Sequence, residues 1–217
     1  MNVDGKTVTV TVEGKRITIY NQRSPLWDHP YPWEGKGNLH DSGCGIFAIA
    51  HLCQYLWDKR ADPRALADFS VRYGGRGDDG TDRPRLLAAM EEKGLAREYG
   101  FSYHMDGLLN DPGALFRHVS RGGGALCNLR PGHIVCLIGA REKGGEKQVL
   151  SIDSYSESAD PRVIGAVREC LKGSEMIFPL VNDAGALCGF QKSYSVYWAA
   201  LSAVRDYNLL HPLSNTP

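Results

Sequence analysis

Four residues of this 217-residue chain have the types and the order needed for thiol-based acyl transfer: Gln22, Cys44, His133 and Asp153. A cysteine attacks a carbonyl group only as its thiolate, and a histidine within hydrogen-bond reach can take the proton. A carboxylate bound to the other ring nitrogen holds the imidazole in one tautomer. We therefore predict that Cys44 is a nucleophile, that His133 is its base and that Asp153 orients the base.

The surroundings of Cys44 favour an ionised sulfur. Cys44 begins an apolar segment, CGIFAIAHLCQYLWDK, which runs to about Lys59 and is typical of a buried helix. The dipole and the free N–H groups at a helix start stabilise a thiolate. Gly43 and Gly45 carry no side chains, so we expect a substrate backbone to approach the sulfur closely. The alternative is a small hydrophobic residue packed in the core, as we expect for Cys53.

His133 and Asp153 stand on two neighbouring predicted strands. His133 follows a Pro-Gly turn, and Asp153 ends the strand that spans residues 148–153. Antiparallel strands joined by a short turn would bring these two ends together. The alternatives are a half-buried histidine bonded to a backbone carbonyl and an aspartate that caps the following turn.

Gln22 follows the second strand of a predicted N-terminal hairpin. Its side-chain amide could stabilise a developing oxyanion together with the backbone N–H of Cys44. The alternative is a surface glutamine at the end of a strand.

The elements that must position these residues are predicted to be helices first and strands later. Residues 7–12 and 16–20 alternate as a β-hairpin, residues 23–43 read as an ordered loop, and the residues from His211 onward read as a loose end. Helices should begin at Asp62, Asp82 and Asp111, each with a proline in the first turn. Strands are expected at 125–129, 133–140, 148–153, 163–170, 175–180 and 194–201, the last of which could instead be helical. This segregation indicates an α+β fold, and the length fits a single domain over residues 1–217.

The amino-acid composition does not indicate a charged partner. Lys and Arg number 25 and Asp and Glu number 25, so no excess charge favours nucleic acid or an anionic membrane. The first twenty residues alternate and lack the apolar run of a signal peptide or membrane span. The default expectation is therefore a cytoplasmic protein, or a secreted one if a leader has been removed. Nothing in the sequence indicates an oligomeric state.

No metal or cofactor is expected. The six cysteines contain no C-x-x-C pair and no tight cluster, so most should be buried thiols. His29 and His40 lie near Asp28 and Asp41, but their spacing matches no strong ligand motif.

The order of these blocks resembles the bacterial C39-like peptidases, a branch of the papain-like fold related to the double-glycine leader peptidases. The similar blocks are residues 20–23, 25–27, 30–31 and 42–45 around Gln22 and Cys44, residues 132–135 and 137–139 around His133, and residues 149–153, which end at Asp153. Two departures stand out. Ile46-Phe47-Ala48 follow Gly45 where the family usually has proline and a small hydroxyl residue, and Ser154 follows Asp153 where proline is common.

The resemblance implies a papain-like fold with a central buried helix packed on an antiparallel sheet. Its core would cover about residues 17–155, with the hairpin before it and further strands after it. It also implies a Cys/His/Asp triad with Gln22 in the oxyanion hole, which cleaves peptide or related amide bonds of a peptide or protein substrate without a cofactor. Two alternatives stay open: an acyltransferase or transglutaminase-like enzyme that uses the same triad, and a binding module of the same fold without activity.

Overall fold

The structure is a computed structural model that describes residues 7–24, 27–130, 132–154, 167–170, 175–181 and 187–213. It combines helices with an antiparallel sheet, as the α+β prediction requires. Within the described ranges, no helix is both long and apolar enough to cross a lipid bilayer.

In the part of the chain that the structure describes, the main sheet has seven strands, and every neighbouring pair is antiparallel. In spatial order, the strands are β11 (Val167–Cys170), β14 (Val196–Ala200), β10 (Glu146–Ile152), β9 (His133–Lys143), β8 (Gly124–Arg130), β15 (Asp206–Pro212) and β7 (Phe101–Ser102). The three strands predicted at 125–153 are confirmed. Segment 194–201 forms strand β14 and a short 3-10 turn, Leu201–Ala203, rather than a helix. Residues 163–166 lie outside the described residues.

The helices of the described residues are α1 (Leu39–Ser42), α2 (Cys44–Trp57), α3 (Pro63–Arg72), α4 (Arg83–Glu92), α5 (Leu95–Glu98) and α6 (Pro112–Ser120). Three of them, α3, α4 and α6, begin where aspartate and proline predict. Asp62, Asp82 and Asp111 each cap the following helix by accepting a hydrogen bond from a first-turn backbone N–H. Helix α2 ends two residues before Lys59 because Asp58 adopts a left-handed conformation at φ 52°.

The described residues also form four two-stranded hairpins outside the main sheet. They are β1 (Thr7–Val12) with β2 (Lys15–Tyr20), β3 (Pro30–Trp33) with β4 (Lys36–Asn38), β5 (Arg76–Gly77) with β6 (Gly80–Thr81), and β12 (Glu175–Val181) with β13 (Leu187–Tyr194). The N-terminal hairpin is confirmed. The prediction of a loop over 23–43 is wrong, because that segment contains the β3–β4 hairpin and α1. Its turn is formed by Glu34 and Gly35, which both have positive φ as a tight two-residue turn requires.

The prediction of a loose end from His211 onward is also corrected, although residues 214–217 lie outside the described residues. His211 and Pro212 are not loose, since they pair with Ser102 and Phe101 of β7. Strand β15, which these residues complete, lies inside the sheet between β8 and β7.

The sheet is covered on both faces. Ile134, Cys136 and Ile138 of β9 belong to the core that contains α2, whereas Val135 and Leu137 belong to the core that contains α6. A strand buried on both sides is apolar at every position, which explains the unbroken run at the start of β9. Helix α2 is therefore held between the sheet, α3 and β2, and its first residue lies beside the start of β9.

Candidate active site

Cys44 is the first residue of α2 and is only 7% exposed. Its N-cap, Gly43, provides no side-chain hydrogen bond to the helix, so the first backbone N–H groups remain available. The backbone N–H groups of Gly45 and Ile134 donate to the sulfur. Two main-chain donors and the positive end of a helix therefore surround this thiol.

His133 is the first residue of β9, and its ring is hydrogen-bonded on both sides. Nε2 donates to Oδ1 of Asp153 at 2.6 Å. This bond leaves Nδ1 for the second contact, the hydrogen bond between the ring and the Cys44 thiol. Gly132, which precedes the ring, has φ +69°, a conformation that most side chains disfavour.

Asp153 follows β10 and is 1% exposed. Its backbone N–H donates to the carbonyl of Ser195 at 2.8 Å, which fixes the chain at this point. Its second carboxylate oxygen, Oδ2, accepts a hydrogen bond from the Tyr197 hydroxyl at 2.9 Å. Tyr197, on β14, is a site residue that the sequence analysis missed, because no spacing relates it to the other members.

The electrostatics of the cluster favour a thiolate beside an imidazolium. Burial raises the pKa of Cys44, but the hydrogen bond and the charge of His133, with the two backbone N–H donors, bring it below its ordinary value. Burial lowers the pKa of His133, but the charge and the hydrogen bond of Asp153, together with those of Cys44, outweigh it and raise that pKa to about 9. Each group thus stabilises the charged form of the other.

Cys44 differs from the other three cysteines whose side chains the structure describes. Burial raises the pKa of Cys53, Cys127 and Cys136 above the ordinary thiol value. These three are core residues, as predicted. Cys44 alone among the four has a lowered pKa.

Gln22 is buried and is hydrogen-bonded to Ser154, the residue that follows Asp153. The Gln22 backbone N–H donates to the carbonyl of Ser154 at 3.1 Å, and the Ser154 hydroxyl donates to Gln22 Oε1 at 2.9 Å. Gln22 Nε2 donates to the carbonyl of His40, four residues before Cys44, at 3.3 Å. The amide is therefore oriented, and it lies between the end of β10 and the segment that leads to the cysteine. The sequence alternative of a surface glutamine is wrong, since Gln22 is 3% exposed.

The glycines that flank Cys44 have a different role from the one predicted. A Cβ atom at Gly43 would lie 2.4 Å from the Leu39 carbonyl oxygen, and one at Gly45 would lie 2.7 Å from Thr81 Cβ. The protein itself occupies the space that we expected a substrate backbone to use. These glycines allow α1 and β6 to pack against the start of α2.

A cleft of about 780 Å³ opens beside Cys44. The cleft is lined by the segment 77–85, which runs from β5 through β6 to the start of α4, and by Gly132 and Ile134 near the start of β9. Leu108 and Asn128 complete the lining. The buried sulfur therefore faces a space large enough for part of a substrate.

Buried Arg76 holds the wall of this cleft in place. Its guanidinium donates to the carbonyls of Tyr31 and Gly80, both at 3.0 Å, and to that of Gly77. The Tyr31 and Thr81 hydroxyls are hydrogen-bonded at 3.0 Å. The loop beside the sulfur is thus anchored by Arg76, which directly precedes it, and by Tyr31 from β3.

The histidines considered for a metal site near the N terminus do not form one cluster with the nearby aspartates. His29 Nε2 lies 2.8 Å from an oxygen of Asp68, and His40 contacts Asn38 and Asp41. The nearest carboxylate to His29 is therefore on α3, whereas the nearest one to His40 is on α1.

Comparison of the chain with family models, with curated proteins and with solved structures found no match. The interpretation of the site accordingly depends on its own geometry.

Proposed function

We propose that this protein is a cysteine peptidase or thiol-dependent amide hydrolase of papain-like fold, similar to the C39-like peptidases. The observation that carries the proposal is the chain of contacts from Cys44 to His133 to Asp153, with 2.6 Å between the last two. A nucleophile at a helix start, a base and an orienting carboxylate are the groups that acyl transfer needs. The buried helix α2 on an antiparallel sheet supports the papain-like assignment.

In the proposed reaction, the Cys44 thiolate forms a bond to the carbonyl carbon of an amide, and the carbonyl π electrons move to oxygen. The oxyanion accepts hydrogen bonds from Gln22 Nε2 and from a backbone N–H at the start of α2. As the intermediate collapses, the C–N bond breaks and the His133 imidazolium gives its Nδ1 proton to the leaving amine. The product of this half-reaction is a thioester on Cys44.

Water completes the cycle. Neutral His133 takes a proton from water as the oxygen attacks the thioester carbonyl carbon, and the C–S bond breaks to give a carboxylic acid and the thiolate. Asp153 stays ionised throughout and stabilises the imidazolium that forms. No redox partner or cofactor takes part in this sequence of steps.

Two experiments test the proposal: alkylation of the cysteines of the chain, and digestion of a peptide library by the chain. The chain is labelled with iodoacetamide at pH 6, and each cysteine is followed by mass spectrometry; Cys44 should react far faster than Cys53, Cys127 or Cys136 because of its lowered pKa. A peptide library is then digested with the native chain, with Cys44→Ala and with Cys53→Ala as the matched control. Cleavage by the native chain and the control, but not by Cys44→Ala, is expected. Equal labelling of all cysteines with no cleavage would contradict the proposal.

A further inference from the structure

A second group of polar side chains lies at the far edge of the sheet, away from Cys44. It consists of His104, Asp106 and His211, whose nitrogen and carboxylate oxygen atoms lie within 4.8 Å of one another. His211 follows Leu210, which pairs with Gly124 at the first residue of β8. His133 pairs with Arg130 at the last residue of β8. A strand of this length spans roughly 20 Å, so the two groups are separate sites.

We propose that His104, Asp106 and His211 bind a divalent transition metal ion, with Zn²⁺ as the best match. Two imidazoles and one carboxylate are a common zinc donor set, whereas Mg²⁺ and Ca²⁺ prefer oxygen ligands throughout. Three protein ligands leave a fourth position for water or an external ligand.

His211 has the environment expected of an uncommitted ligand. Its Nε2 atom is shielded from solvent and has no hydrogen-bond partner within the described residues. A buried ring nitrogen without a partner is costly, and a metal ion would satisfy it. The rings of His104 and His211 are stacked at 3.9 Å. Because His104 is exposed, its ring can rotate out of the stack so that both nitrogens point at one ion.

The loop that carries His104 and Asp106 is fixed to the sheet. The Gly107 N–H donates to the Tyr103 hydroxyl at 3.2 Å, and the Gly107 carbonyl accepts from Asn208 Nδ2 at 2.6 Å. Asn208 belongs to β15, three residues before His211. The loop with His104 and Asp106 is therefore held to β15, the strand that carries His211, and this limits the conformational entropy lost when an ion binds.

A third histidine supports His211 from the side. His118 Nε2 donates to the carbonyls of Gly124 at 3.1 Å and Leu210 at 3.0 Å. Its ring stands edge-on to that of His211, at 4.7 Å and 73°. Gly123 allows this arrangement, since a Cβ there would lie 2.2 Å from His118 Nε2. His118, His104 and His211 also line a cavity of about 530 Å³, large enough to admit water and a small ligand.

Metal binding is measured on the full chain carrying Cys44→Ala, because the thiol and His133 could themselves bind zinc. After treatment with EDTA, zinc chloride is added in a calorimeter, and Co²⁺ is added separately to record visible absorption. We expect one Zn²⁺ per chain and an absorption spectrum of low-symmetry, nitrogen- and oxygen-bound Co²⁺. Absence of saturable Zn²⁺ binding would refute the proposal.

Three further substitutions in this background locate the ion. His104→Ala and Asp106→Asn each remove an exposed ligand and should weaken Zn²⁺ binding by roughly 10-fold or more, since even changes outside the ligand shell cost about 10–100-fold. His29→Ala removes a histidine from the pair with Asp68 and should leave the affinity unchanged. Thermal melts without metal verify that each variant folds. Equal affinity in all the variants would place the ion elsewhere and overturn the assignment.

Discussion

The Tyr197 hydroxyl donates to Oδ2 of Asp153 at 2.9 Å, on the carboxylate oxygen that His133 does not use. Both oxygens of this buried carboxylate therefore have a donor, which offsets part of the cost of burying its charge. Burial and the nearby Asp153 charge raise the pKa of Tyr197 well above its ordinary value, so its hydroxyl keeps its proton. Tyr197 fixes the orientation of Asp153 and, through it, that of the His133 ring.

Tyr197→Phe should weaken the site without removing any reacting group. Loss of a hydrogen bond to a charged, buried group lowers the free energy of unfolding by about 1.5–3 kcal/mol. We also expect slower iodoacetamide labelling of Cys44, because the His133 ring loses its fixed orientation. Tyr207→Phe is the control, since it also removes a tyrosine hydroxyl bond, to the Asp111 carbonyl at 2.6 Å. Identical labelling in the two variants would show that Tyr197 has no positioning role.

Asp153→Asn should lower the pKa of His133 from its value of about 9, because the carboxylate charge is the largest cause that raises it. An NMR titration of the ring measures the midpoint directly and needs no substrate. In the proposed reaction, the protonated ring is the acid for the leaving amine, so the alkaline limb of the rate profile should move to lower pH. Asp111→Asn keeps a helix cap and should leave the midpoint near 9. An unchanged midpoint in Asp153→Asn would contradict the assigned ion pair.

Gln22→Glu tests the proposed oxyanion donor with little change in shape. The carboxylate can still accept the hydrogen bond from Ser154, but it has no N–H to give to an oxyanion. Loss of one such donor typically reduces turnover by about 10²–10³-fold. Ser154→Ala is the companion variant, because it keeps the donor and removes one anchor. Cleavage rates of a library-derived peptide should fall much more in Gln22→Glu, and equal rates would assign Gln22 a structural role.

Local signals were sufficient to predict most of the elements near the site. Aspartate followed by proline marks the starts of α3, α4 and α6, and the apolar segment at Cys44 marks α2. These signals are predictive because a helix cap and an apolar helix face depend only on residues that are close together in the sequence. The contact between His133 and Asp153 could be anticipated for a similar reason, since the two strands follow each other along the chain.

Features that depend on distant segments could not be predicted in this way. At the step from Leu150 to Ser151, a bulge shifts the register, because Leu150 lies opposite Gly139 whereas Ser151 lies opposite Leu137, so that Ile138 of β9 is skipped in the pairing. No single residue type announces such a bulge. Tyr197 reaches Asp153 from a strand 44 positions later, and the His104–His211 stack joins segments from both halves of the chain. Packing of that kind is decided by the whole sheet.

Gly45→Ala should destabilise the protein although alanine favours helices. Its Cβ would lie 2.7 Å from Thr81 Cβ, an atom close to the backbone that cannot rotate away. Such overpacking costs about 1–3 kcal/mol, more than the roughly 1 kcal/mol that alanine gains over glycine in a helix. Urea unfolding measures the difference. Gly139→Ala, where the nearest atom is 3.4 Å away, is the control. Thr81→Gly removes the contacting atom together with the hydrogen bond to Tyr31, so the test is whether Gly45→Ala costs less in that background than in the native chain; a stable single variant would contradict the contact.

Acid sensitivity should originate in part from His51, a buried histidine on α2. The Tyr20 backbone N–H donates to its Nε2 at 2.9 Å, and the two rings stack at 5.2 Å. Burial lowers the pKa of His51 to about 3, so the folded chain keeps the ring neutral. An unfolded chain protonates it near its ordinary value of 6.5. The stability is therefore complete above pH 6.5 and is lost as the pH falls from 6.5 towards 3.

His51→Gln separates the effect of His51 protonation from other effects of acid, since the glutamine amide oxygen can accept the Tyr20 hydrogen bond but does not titrate. One pKa unit corresponds to about 1.4 kcal/mol, so between pH 7.5 and pH 5 the native chain should lose about 2 kcal/mol more stability than the variant. Urea unfolding at both pH values provides the measurement. His133 has the opposite pH dependence, because its pKa is raised: its contribution to stability is present below pH 6.5 and is lost as the pH rises through 9. If the two chains lost stability in parallel on acidification, a neutral buried His51 would be ruled out.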